Sequence, residues 1–135
     1  MEELIKAVIA RYSSSAGADL RAVTTGGMWL SQAPESAGGV YIVLTPVSAP
    51  IEHVMGGTMF TQDCDLQFTV ATITGSASDV VTAVGKLTAL YDFCSLTLTG
   101  YSLLVSRRLS NQGPIRDDFT TGYSAFVEYR FTIGK

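Results

Sequence analysis

The sequence predicts an α+β fold: a mostly antiparallel sheet with helices packed on one face. Three observations carry that expectation. Residues 123–133 place Tyr123, Ala125, Val127, Tyr129, Phe131 and Ile133 at every second position, the period of a strand with one covered face. Residues 79–91 repeat Val80, Val81, Val84, Leu87, Leu90 and Tyr91 at helical spacing. The strand-like segments come in neighbouring pairs joined by loops, which favours antiparallel pairing over parallel crossovers. At 135 residues the chain has the size of a single domain with its own core.

The elements follow in order. Leu4, Ile5, Val8, Ile9 and Tyr12 form one stripe of an amphipathic N-terminal helix, ended by Ser13-Ser14-Ser15 and Gly17. A short helical piece is expected at 18–23, with Asp19 in its first turn and Gly26-Gly27 closing it. Met28-Trp29-Leu30 reads as a brief strand, and 31–39, with Pro34 and Gly38-Gly39, as a loop. The run Gly39-Val40-Tyr41-Ile42-Val43-Leu44-Thr45-Pro46 is the clearest buried strand. Residues 46–58 read as a loop carrying His53, and 59–73 as a long strand in which Leu66, Phe68 and Val70 alternate with Gln67, Thr69 and Ala71. Ser76 and Asp79 have the spacing of a capping box for the next helix, inside which Gly85 is expected at a close approach to the sheet. Strands at 96–99 and 101–109 are separated at Gly100, and a polar loop at 110–122 precedes the last strand. No internal repeat or linker divides the chain.

Composition narrows function. Charged residues are 16% of the chain, against about 25% in typical soluble domains. Thirteen serines and 15 threonines supply the missing polarity. A surface poor in charge and rich in hydroxyls suits one partly covered by other subunits. A net charge of −3 argues against sequence-independent nucleic-acid binding, which needs a surplus of Lys and Arg. Neither a signal-peptide pattern nor a membrane span is visible; the longest apolar run is 40–44. Cys64 and Cys94 are expected as reduced, buried fillers.

Candidate chemistry is sparse. One histidine and two distant cysteines give no zinc spacing. Asp63 and Asp65 share a strand face and could hold a hard cation, but read as a solvated strand start; Asp117 and Asp118 read likewise. His53 lies between Glu52 and Val54 without a nucleophile motif, and there is neither a Walker loop nor a dinucleotide fingerprint. No catalytic residue, cofactor or metal is therefore expected. Arg107 and Arg108 form the basic pair, with Arg116 nearby. They read as residues on opposite strand faces balancing Asp117 and Asp118, or as a few phosphate or subunit contacts. Ile51, Val54 and Met55 in the first long loop, and Ile115 and Phe119 in the second, are apolar side chains without an evident home.

The order of landmarks resembles the tail terminator, or tail completion, proteins of long-tailed bacteriophages and related prophages. The resemblance spans nearly the whole chain. It rests on the N-terminal helix at 4–12, the strand Gly39-Val40-Tyr41-Ile42-Val43-Leu44, the long strand at 64–73 and the helix at 79–91. It continues with Arg107-Arg108-Leu109, the loop with Asp117-Asp118, and Gly122-Tyr123 leading into Val127-Glu128-Tyr129-Arg130-Phe131. The Ser/Thr-rich loops and Cys64 depart from the pattern. The resemblance implies a structural protein of the virion tail, assembled in the host cytoplasm. It implies a homo-oligomeric, six-fold ring that caps the tail tube, ends its polymerisation and offers a surface for the head–tail connector, while DNA passes without specific binding. Loop residues Ile51, Val54, Met55, Arg107, Arg108, Ile115, Arg116, Asp117, Asp118 and Phe119 are the candidate protein contacts, matched to the family only by position. Two alternatives stay open: a neck or head–tail connector or other minor tail protein, and a small α+β ligand-binding or hot-dog-like enzyme domain with a polar pocket against the 79–91 helix.

Overall fold

A computed structural model describes residues 2–33, 38–48, 51–53, 60–73, 75–116 and 122–134, with the backbone alone at 51–53 and 60. Helix α1 (Glu2–Ser13), a 3-10 turn (Ser15–Gly17) and α2 (Ala18–Val23) lead into β1 (Met28–Leu30), β2 (Val40–Ser48), β3 (Ile51–His53) and β4 (Phe60–Thr72). Helix α3 (Ala77–Tyr91) follows, then β5 (Thr97–Leu98), β6 (Tyr101–Arg116) and β7 (Tyr123–Gly134). The seven strands form one sheet in the order β1-β2-β4-β7-β6-β5, with β3 also paired to β4. Every pairing is antiparallel except β1 with β2. The α+β class is as expected.

The centre of the sheet is β4 against β7, paired without a register shift from Thr61–Gly134 to Thr72–Tyr123. Alternation decides which face is covered. Cys64, Leu66, Phe68 and Val70 of β4 and Val127, Tyr129, Phe131 and Ile133 of β7 point to the helices and are buried. Ile42 and Leu44 of β2, Leu4 and Val8 of α1, and Val80, Ala83, Leu87 and Tyr91 of α3 complete one core. Burying each large apolar side chain contributes about 1.5–3 kcal/mol. Phe68 stacks on Tyr91 with ring centres 4.9 Å apart and meets Tyr129 edge-on at 5.7 Å, so α3 is keyed to both central strands.

Local chemistry holds α3 in place. The Asp79 amide donates to Ser76 Oγ and the Ser76 amide to Asp79 Oδ2, closing the expected capping box. At the other end Arg11 Nε donates to the Leu90 carbonyl and Tyr91 OH to the Val8 carbonyl, tying α1 to the end of α3. Gly85 is not a close approach: a Cβ there would meet nothing within 4 Å, and the residue faces solvent. The sheet-facing positions of the helix belong to Ala83 and Leu87 instead.

The opposite face of the sheet is polar. Asp63 and Asp65 lie there, but not as a solvated strand start. Arg130 donates to both carboxylate oxygens of Asp65, at 2.8 and 3.0 Å, and Thr132 donates to Asp63 at 2.7 Å. Asp65 is buried, because register places it directly opposite Arg130. The Arg130 hydrogen bonds hold its carboxyl below the usual carboxylate range. Among the described residues no helix is long and apolar enough to cross a membrane.

Candidate interaction surface

Strand β6 presents apolar side chains that the fold does not bury. Its pairing with β5 reaches only Tyr101 and Ser102. From Leu103 to Arg116 its strand partner among the described residues is β7. Ser106 is the single buried residue of β6, its hydroxyl donating to the Tyr91 carbonyl at 3.1 Å. Leu104, Val105, Leu109 and Ile115 are exposed, the first and last by half or more.

The expected loop at 110–122 is therefore corrected for 110–116, which continue the strand. Its loop-like letters are absorbed by register shifts, between Leu103 and Val105, Arg108 and Ser110, and Gln112 and Ile115. The last shift contains Gly113, at φ +103, and the cis peptide to Pro114. A Cβ on Gly113 would sit 2.9 Å from the Ala125 Cα, so β7 requires glycine at this approach. The 46–58 loop is likewise shorter than expected. Strand β2 runs to Ser48, and Ile51, placed by sequence in the loop, lies on β3 opposite Gln62.

The predicted contact residues separate accordingly. Arg107 lies opposite Arg130 on the polar face and is exposed. Arg108 lies opposite Tyr129 on the helix side, with Nη2 3.5 Å from Asp92 Oδ2. The pair does occupy opposite faces; Arg108 meets Asp92, and the expected partners Asp117 and Asp118 lie outside the described residues. Tyr129 OH donates to the other oxygen of that carboxylate. Burial first, and the Asp92 hydrogen bond second, push the Tyr129 hydroxyl pKa up, so it stays protonated. Ile115 lies opposite Ser124 and Arg116 opposite Tyr123. Ile115, Arg107, Arg108 and Arg116 are thus strand residues and not loop residues. Val54, Met55, Asp117, Asp118 and Phe119 lie outside the described residues.

Two features escaped the sequence reading. Phe93 follows the C-cap of α3 at φ +51, the left-handed position that usually holds glycine. This conformation costs an L-residue about 1–2 kcal/mol. Its ring is nevertheless 81% exposed. The signal available in sequence was the absence of a glycine after Tyr91-Asp92. The second feature is a cleft of about 120 Å³ between α3 and β6, lined by Val81, Val84, Asn111, Gly113, Pro114 and Ala125. No motif marks it, because its walls come from three separate segments.

A solved chain from the virion of a native gene transfer agent particle superposes on this molecule with a TM-score of 0.80. The match covers 99% of this chain and 96% of that one at 15% identity. The fold is shared with a virion chain. A second solved structure, whose name describes no function, matches with a TM-score of 0.60 over 97% and 95% of the two chains at 17% identity. No protein-family model and no curated protein sequence matches. At these identities the likeness is one of fold.

Reactive groups near this surface are quiet. Cys64 and Cys94 are free thiols, and burial pushes both pKa values up, away from thiolate. Cys64 is the buried filler expected; Cys94 is only half-buried, with Ser106 Oγ 3.7 Å from its sulfur. Among the described residues no three His, Cys, Asp or Glu side chains gather as a metal site. Open clefts do lie against α3, one lined by Arg11, Asp19, Lys86 and Leu90, another by Thr25, Gly39, Asp79 and Thr82.

Proposed function

We propose that this chain is a structural subunit of a phage-like virion. Copies of it form a six-fold ring that caps the tail tube, ends tube polymerisation and offers the surface to which the head joins. The observation that carries this reading is the end-to-end likeness to a gene transfer agent virion chain, in which almost no part of either chain is left over. The exposed apolar residues of β6 fit a subunit whose surface is completed by neighbours. So does the low charged fraction.

The character of the contact follows from β6 itself. Bulges, three arginines and a proline are the devices by which edge strands resist ladder pairing. Contacts between copies therefore run through side chains, not through a sheet continued from subunit to subunit. A net charge of −3 suits a ring through which DNA slides without being held. The test is electron microscopy of tail tubes assembled with and without the protein. A ring on one tube end, with tube growth stopped, is the expected result. Tubes that keep growing and carry no terminal density would overturn it, and density found only on the head side would favour a neck connector.

A further inference from the structure

We propose that Phe93 is the knob, and the cleft between α3 and β6 the hole, of a head-to-tail contact between copies of this chain. The inference deepens the ring reading and rests on the association of copies that it assumes. Phe93 combines a left-handed backbone with an aromatic ring 81% exposed, two costs that no contact given among the described residues offsets. The cleft has walls of Val81, Val84, Pro114 and Ala125, with Asn111 and Gly113 completing it. Its volume of about 120 Å³ is close to that of a cavity known to accept one benzene ring, roughly 150 Å³.

The same molecule cannot close this contact. Val84 and Phe93 are separated by the second half of α3, whose seven steps from Val84 to Tyr91 span roughly 10 Å along its axis, and Phe93 lies two residues beyond. A second copy, displaced along that axis, can. Charge agrees with the assignment: Asp92, next to the knob, is already met by Arg108 and Tyr129, and the described residues that line the hole are uncharged. Docking therefore buries no bare charge. When each copy sets its knob in one neighbour and receives the knob of another, the contact is heterologous, and a chain of such contacts forms a ring when its rotation closes.

The test places benzoylphenylalanine at position 93 of the full chain and irradiates it over a concentration series. Inter-chain cross-links should map to the peptides containing Val81 and Val84 or Asn111 to Pro114. Absence of inter-chain cross-links, or cross-links confined to other segments, overturns the proposal. Two substitutions separate assembly from folding. Phe93→Gly suits the left-handed backbone, so the melting temperature should hold or rise while self-association weakens at least tenfold. A fall in melting temperature would instead assign Phe93 to the fold and overturn the proposal. Val81→Arg fills the hole from an exposed position. Mixed together, the two variants retain one knob and one hole and should stop at dimers; larger assemblies contradict the assignment. Normal rings from Phe93→Gly on tube ends would remove this contact and keep the cap. Cross-links at the named peptides without any tube-end ring would keep the contact and remove the cap.

Discussion

Along β7 every second residue from Ala125 to Ile133 is buried; along β6, bonded to it for most of its length, Ser106 alone is. The two strands share a ladder and differ in what their side chains do. Strand β7 sits in the middle of the sheet, with β4 on its far side, and its inward residues meet α3. Strand β6 takes its extended backbone from β7 and leaves Leu104, Val105, Leu109 and Ile115 to solvent. Backbone pairing and core formation are thus separable in this sheet. Of the two, the strand that contributes less to the core is the one free to serve a neighbour.

The comparison is sharpest in stability. Phe131→Ala removes a fully buried ring beside Tyr129 and should cost about 3–5 kcal/mol in chemical denaturation, enough to threaten folding. A loss under 1 kcal/mol would mean that β7 does not organise the core. On the polar face, Asp65→Ala strands the Arg130 guanidinium and should cost about 1–3 kcal/mol. The pair also sets an acid limb. Because the folded-state pKa of Asp65 lies below its unfolded value near 4, its contribution is complete above that value and lost as pH falls through the folded pKa. Asp65→Asn should flatten the pH dependence of stability below about pH 4, measured by denaturation at successive pH values. An unchanged acid limb would place its origin in other carboxylates.

Smaller effects test the helix that β7 carries. Ser76→Ala should lower stability by about 1 kcal/mol through loss of the reciprocal cap of α3. Gly85→Ala should raise it by about 1 kcal/mol, since the new methyl meets open space and glycine penalises a helix interior. A destabilised Gly85→Ala protein would show that the helix surface there is packed after all. Smallest of all, Leu109→Ser and Ile115→Ser on β6 should each change monomer stability by no more than about 0.5 kcal/mol. Sedimentation of the same variants should show weakened assembly. A monomer that unfolds would return these side chains to the core.

What was legible in the sequence follows the same division. Alternation identified β7 and the inward face of β4, and helical spacing with the Ser76–Asp79 pair located α3, because in each case burial is periodic and local. The short helix at Ala18–Val23 and the strand at Met28–Leu30 were legible from their flanking turn residues. The end of β6 was not. Gly113 and Pro114 signal a turn in isolation, and only the distant β7 turns them into a bulge. Pro46 was read as the end of a strand, yet it lies within β2 beyond the last residue paired to β1, where its missing N–H costs no bond. The Asp65–Arg130 pair spans 65 positions and depends on register, which no local pattern gives. The exposed ring of Phe93 and the cleft beyond Val84 belong to surfaces, and surfaces leave no period.

Hydrogen exchange of the isolated subunit and of the assembled ring tests the division between β7 and β6 most directly. Amides of β7 between Ala125 and Ile133 should be strongly protected in both states, since each lies between β4 and β6. Amides of β6 from Leu103 to Arg116 should exchange faster in the subunit and gain protection in the ring, most of all from Asn111 to Gly113. Equal protection of the two strands in the subunit, with no gain on β6 after assembly, would contradict the account.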